Sequence, residues 1–154
     1  MTPIDTLKFA AAYGMWLIQQ NPKKNLSVII GRDARISGDM ISSLVSKTLI
    51  GLGINVIHIG LSTTPTLEIA VTLEGADGGI IVTASHNPKQ WNALKLLNNK
   101  GEFLNAEHGE TILKIAENDA YQFAEVDDLG DYIEKKRLHR QTYRCRFKSR
   151  VGRC

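Results

Sequence analysis

The chain has 154 residues, is 43% hydrophobic and carries a formal net charge of +3, which suits one ordinary buried core and a single main domain. No apolar run approaches the ~20 residues needed to span a bilayer, and nothing at the N-terminus resembles a signal peptide. The two cysteines, Cys145 and Cys154, both fall in the last ten residues, too few and too peripheral for a disulfide scaffold or a cysteine metal site. A soluble cytoplasmic protein with no membrane partner is the expectation.

In chain order, Thr2 as N-cap, Pro3 at the first helical position and Asp5 in the first turn open a helix. Its apolar residues Ile4, Leu7, Ala11 and Ile18 share a face, and it ends near Asn21-Pro22. A strand over 26–30 follows. Next comes a helix from about Gly38 to Ile50, with Ile41, Leu44, Val45 and Leu52 facing inward and Gly51 and Gly53 stopping it. A strand over 54–60 leads to a short helix started by Thr64-Pro65 and stopped by Gly75. The apolar run Gly79-Ile80-Ile81-Val82 reads as a buried strand. This βαβαβ order predicts three parallel strands. Residues 93–97 should join them as an antiparallel edge, residues 98–101 should turn, and residues 106–118 should form a last helix over the sheet.

Three motifs carry chemistry. Thr83-Ala84-Ser85-His86-Asn87-Pro88 follows the buried strand, so Ser85 sits on a loop past a strand's carboxyl end, where open α/β sheets bind ligands. Pro88 restricts Asn87 to extended or turn geometry, and His86 and Asn87 can bond to backbone or phosphate oxygens. Taken alone, the tetrapeptide Ser-His-Asn-Pro is read more readily as an Asn-Pro loop with an incidental serine. The balance shifts because of Gly31-Arg32-Asp33-Ala34-Arg35-Ile36-Ser37-Gly38, which also follows a strand and offers two guanidinium groups able to grip oxygens bidentately. Asp33 by itself reads as half of an ordinary Arg-Asp pair. The third motif, Asn92-Ala93-Leu94-Lys95, places a mobile point charge ten residues after Ser85.

In this order and spacing the three motifs resemble the first domain of the α-D-phosphohexomutases, the family of phosphoglucomutase, phosphomannomutase and phosphoglucosamine mutase. That family's serine loop is Thr-(Ala or Gly)-Ser-His-Asn-Pro followed by Asn-Gly-x-Lys, and its upstream motif is Gly-x-Asp-x-Arg-x-Ser-Gly. Gly60-Leu61-Ser62-Thr63-Thr64-Pro65 lies where the family has a glycine and a Thr-Pro pair entering a helix. The resemblance runs from about Thr2 to about Glu134. Ala93 departs from it, adding a methyl group where the family has glycine.

The resemblance implies a three-layer α/β/α sandwich with a small, mixed, mainly parallel sheet. It also implies that Ser85 is carried as phosphoserine and exchanges its phosphoryl group with a hexose phosphate through a hexose 1,6-bisphosphate, moving phosphate between C1 and C6. Ser85, His86 and Lys95 are then the catalytic candidates. Arg32, Arg35, Asn87 and Asn92 support the loop and the phosphate. Charge neutralisation and positioning dominate such a reaction, which suits these residue types. The implied cofactors are Mg2+, to which this chain would contribute only through the Ser85 phosphate, and hexose 1,6-bisphosphate as activator. The Thr-Ala form of the loop favours a phosphoglucomutase or phosphomannomutase over a phosphoglucosamine mutase. His58 and His108 read as packing or surface histidines, Trp91 as a loop anchor or site cover, and Trp16 as core or a face toward another domain.

Nine of the 19 basic residues, and none of the 16 acidic ones, lie in 135–154, so residues 1–134 carry about −6. Accordingly, 1–134 is read as the family's first domain and 135–154 as a basic tail outside the family sequence. The family's preceding Arg-Gly segment and its second to fourth domains have no counterpart in the 154 residues, so the chain alone is expected not to turn over substrate, and weak self-association of exposed apolar surface is expected. A non-catalytic phosphate- or nucleic-acid-binding domain, acting through the tail with Tyr143 and Phe147 as stacking residues, is the alternative. Nucleic acid is otherwise not expected as a partner.

Overall fold

A computed structural model describes residues 2–22, 25–83 and 93–135. Helix α1 (Pro3–Gln20) opens on a reciprocal capping box, Asp5 N–H donating to Thr2 Oγ1 and Thr2 N–H to the Asp5 carboxylate. Strand β1 (Ser27–Arg32) leads to α2 (Gly38–Gly51), then β2 (Asn55–Leu61), α3 (Thr64–Glu74) and β3 (Gly78–Thr83). Strand β4 (Ala93–Leu97) and α4 (Ala106–Glu117) follow, then a 3-10 turn (Val126–Asp128) and β5 (Tyr132–Glu134).

The strands form one sheet in the order β4-β3-β1-β2-β5. All neighbours are parallel except β3 with β4, so the expected mixed, mainly parallel sheet is observed. One face carries α1, α2 and α4, whose Ala10, Tyr13, Leu17, Val45, Leu49 and Ile112 close over Val28, Ile30, Val56, Ile80 and Val82. The other face carries α3, whose Leu67, Ala70 and Val71 cover Ile29, Ile59, Ile81 and Leu97. The result is three layers. Strand β3 is buried along its whole length, as its continuous apolar run requires. Helix α3 lies close to the sheet because Gly31 and Gly79 present no side chain to it: a Cβ at Gly79 would stand 2.7 Å from Val71 and 2.9 Å from Leu67.

Four features differ from the sequence reading. The buried face of α1 is centred on Thr6, Ala10, Tyr13 and Leu17, while Ile4 is 69% exposed and Leu7 37%. Small residues let that side of the helix approach α2 and the sheet, so closeness outweighed the apolar stripe. Trp16 belongs to this core and stacks on Tyr13 with ring centroids 6.0 Å apart. Leu44 is only half-buried. Strand β1 runs on to Arg32, past the expected end at Ile30, because β3 pairs with it as far as Val82. Strand β5 has no counterpart in the sequence reading: Tyr132, Ile133 and Glu134 are all exposed and pair with β2 as a parallel edge, and three residues carry too little pattern to announce a strand. Next to β5, Lys135 N–H donates to His58 O at 2.8 Å and Lys135 Nζ contacts Glu74 Oε2 at 2.7 Å. No helix among the described residues is long and apolar enough to cross a membrane.

Candidate active site

The strand order creates a switch point between β1 and β3. From β1 the chain passes over one face to β2, whereas from β3 it continues to β4 on the opposite side. In such sheets the carboxyl edge at a switch point is the usual ligand position. The Arg32–Gly38 segment leaves β1 here, and the serine loop leaves β3.

Backbone hydrogen bonds lock this edge together. Asp33 N–H donates to Val82 O at 3.0 Å, tying the turn after β1 to β3, and Ser62 N–H donates to Arg32 O at 2.9 Å, tying in the turn after β2. That second turn starts at a register shift: Ile30 pairs with His58 but Arg32 pairs with Leu61, so β2 holds an extra residue. Gly60, at φ +71°, absorbs it, and its N–H donates to His58 Nδ1 at 3.3 Å. Thr63 then caps α3 by accepting from Thr66 N–H.

Asp33 braces the turn that follows β1. One carboxylate oxygen accepts from Arg35 N–H at 3.1 Å and the other from Arg35 Nε at 3.2 Å, and both side chains are mostly buried, 29% and 19% exposed. Arg35 is thus anchored by its own loop. Arg32 lies on the α2 side of the sheet, donating through Nη1 to Asp33 O and pairing through Nη2 with Asp39 in the first turn of α2, each at 3.3 Å. Its Nε is buried without a hydrogen-bond partner among the described residues. Sequence reasoning missed Asp39, whose signal was an acidic residue in the helix's first turn.

Lys95 stands on β4 opposite Ile81, two residues down from the Ala93–Thr83 pair at the carboxyl end of β3. Its Nζ lies 5.7 Å from the centroid of the Phe103 ring. No sequence motif pointed to Phe103, because that contact depends on a bridge between Leu97 and Phe103. Ser85, His86, Asn87, Asn92 and Trp91 lie outside the described residues. So does the tail from residue 136.

His58 faces α2 on the other side of the sheet. It lines a cleft of about 280 Å³ with Asp39, Ser42, Ser46, Lys47 and Tyr132, and stacks on the Tyr132 ring at 6.1 Å. Burial pushes its pKa below the usual histidine value and Arg32 adds to that, against the opposing pull of Glu134 and Asp39. Trp16 and His108 also meet, ring centroids 5.0 Å apart. Both histidines are thus in packing contacts.

Among proteins of known kind, residues 1–123 match the family model described as phosphoglucomutase/phosphomannomutase, alpha/beta/alpha domain I. The chain is 33% identical over 131 residues to a phosphoglucomutase/phosphomannomutase of Thermococcus kodakarensis, covering 85% of this chain and 28% of that protein. It is 31% identical over 143 residues to a phosphoglucosamine/phosphogalactosamine mutase of Sulfurisphaera tokodaii, covering 93% and 30%. Against a phosphoglucosamine mutase of Ligilactobacillus salivarius the identity is 36% over 119 residues, covering 77% and 26%. The chain therefore spans less than a third of the length of these curated relatives. A solved structure from Thermus thermophilus superimposes with a TM-score of 0.80 at 28% identity, over 97% of this chain and 32% of that one. A phosphoglucomutase/phosphomannomutase family protein from Burkholderia thailandensis, at 21% identity and a TM-score of 0.77, shares the fold over 99% of this chain and 32% of its own. With that family model matched over residues 1–123 and the Arg-Asp motif standing at the carboxyl edge of a matching sheet, the chain belongs to the phosphoglucomutase/phosphomannomutase family, corresponding to its α/β/α domain I.

Proposed function

We propose that Ser85 is the phosphoryl carrier of a hexose phosphate mutase. The observation that carries this reading is the switch point: β3, which the sequence continues into Ser85, ends beside the turn that Asp33 and Arg35 brace, and Asp33 N–H to Val82 O ties the two strand ends together. In the forward half-reaction, a sugar hydroxyl attacks the phosphorus of phosphoserine. The new P–O bond forms as the bond to Ser85 Oγ breaks, and the hydroxyl proton passes to a nearby base, for which His86 is the candidate. The reorientated bisphosphate returns its other phosphoryl group to Ser85, so the sugar leaves with its phosphate moved. Lys95 supplies positive charge to the transferring group. Arg35, held by Asp33, and Asn87 keep the loop in place. Arg32 and Asn92 are assigned to supporting the loop and its phosphate.

Relatives named for glucose or mannose and relatives named for glucosamine match at similar identity, which supports hexose phosphates as the substrate class. For the implied Mg2+, the described residues contain no group of three or more His, Cys, Asp or Glu placed to hold a cation, and Asp33 is already engaged by Arg35. The described residues do not fit the ion, so no step here runs through it.

The test is intact and peptide-level mass spectrometry after incubation with hexose 1,6-bisphosphate and Mg2+. One added phosphoryl group on Ser85, absent in Ser85→Ala, supports the reading. No incorporation, or equal incorporation in Ser85→Ala, refutes it.

A further inference from the structure

Lys95 belongs to the motif that follows Ser85, yet its ammonium is drawn away from the carboxyl end of β3. Strand β4 runs antiparallel to β3, so Ala93 lies beside Thr83 at the carboxyl end and Leu97 lies beside Gly79 at the opposite end. Phe103 bridges Leu97 on the outer edge of β4, where Leu104 N–H also donates to Leu96 O. Partners in a bridge present their side chains on the same face, and Leu97 is buried on the α3 face. By the alternation of a strand, Lys95 shares that face. The Phe103 ring therefore stands behind Lys95 along β4, on the side remote from the Thr83–Ala93 pair, and Nζ sits over it at 5.7 Å. This distance is within cation–π range. Among the described residues Nζ has no hydrogen bond and no ion pair, so the ring is where its charge rests. Phe103 is 50% exposed, which leaves the ammonium hydrated and able to depart.

We propose that Phe103 is a positioning residue that holds Lys95 in a resting berth, from which the lysine moves to a phosphate group arriving at the carboxyl end of β3. This rests on the mutase reading for the lysine's destination. Phe103 competes with the phosphate for one ammonium, so removing the ring strengthens the phosphate contact. At an exposed site a cation–π contact corresponds to roughly a two- to fivefold change in an equilibrium.

The experiment uses the whole 154-residue chain, isotope-labelled, with the Lys95 side-chain NMR signals assigned. The ring current of Phe103 shifts the Lys95 ε-methylene protons upfield in the starting protein and in Phe103→Tyr, and Phe103→Leu removes the shift. On titration with inorganic phosphate at constant ionic strength, Lys95 signals of the starting protein move toward their ring-free positions. Half-saturation in Phe103→Leu comes at about two- to fivefold lower phosphate. Identical Lys95 shifts in the starting protein and Phe103→Leu overturn the proposal, as does an equal or weaker phosphate response in Phe103→Leu, or no saturable response in any variant. Failure of the mutase reading looks different: the berth and its phosphate-dependent release are seen, but bisphosphate leaves no phosphoryl group on Ser85.

Discussion

Replacing Tyr13 with phenylalanine isolates one buried hydroxyl that joins α1 to the edge of the sheet. Tyr13 is fully buried. Its hydroxyl donates to Leu97 O at 2.7 Å and stands 3.3 Å from Gly79 O. Gly79 and Leu97 are register partners of β3 and β4, so the hydroxyl closes the far end of the ladder that carries Lys95. Gly78 is shaped for it, since a Cβ there would collide with the Tyr13 hydroxyl. Burial raises the hydroxyl's pKa well above the usual tyrosine range, the Gly79 carbonyl opposing, so the group is a neutral donor at every working pH. Tyr13→Phe keeps the ring and its contact with Trp16 but strips the Leu97 carbonyl of this donor in a site water does not reach. Leaving a buried acceptor without its donor costs about 1–3 kcal/mol. For a chain of this size, that lowers the melting temperature by roughly 3–10 °C. Urea unfolding followed by circular dichroism reads the change directly, with a lower midpoint and an unchanged m-value. A loss below roughly 0.5 kcal/mol would show that the Leu97 carbonyl finds another donor at little cost and would refute the reasoning.

Two further outcomes follow from the site. Asp33→Ala releases Arg35 from both of its contacts with the carboxylate; phosphoryl uptake by Ser85 should slow by about tenfold or more through loss of positioning, while global stability falls by no more than about 1 kcal/mol because the pair is partly exposed, and uptake at the unaltered rate would remove Asp33 from the site. His58 tests a pH effect: its folded pKa is lowered from 6.5, chiefly by burial, so below that value the unfolded chain binds a proton that the folded chain resists, and stability declines as pH falls from about 6.5 toward the folded pKa. Urea midpoints at about pH 7.5 and about pH 5.5, on either side of the unfolded value, should therefore differ more in the starting protein than in His58→Gln, and equal differences would contradict the assigned direction.

The turn after β1 was legible because its chemistry is local. The Asp33–Arg35 pair spans two residues, and the turn that holds it is announced by Gly38 and by the apolar strand before it. The capping residue Thr2 acts on a backbone amide three positions away, which is why the start of α1 was readable to the residue. The arginine at position 32 was harder to place. Its strand continues because Val82 and Leu61 pair with it from either side, and its side chain turns toward Asp39 on a helix it precedes.

Local pattern in the sequence was sufficient to determine the succession of helices and strands, the parallel βαβαβ core and the antiparallel return of β4, since each depends on periodicity, caps and breakers within one segment. Tertiary structure alone decided three things. It chose which face of α1 is buried, because Ala10, Ala11 and Gly14 permit a close approach that hydrophobicity does not reveal. It added β5, a strand too short to declare itself, through pairing with β2 across a long stretch of chain. And it set Lys95 over Phe103, a contact between residues eight apart whose proximity follows from the Leu97–Phe103 bridge at the sheet edge. Each of these is a choice among neighbours that meet only after the chain has folded, and no pattern within a segment encodes it.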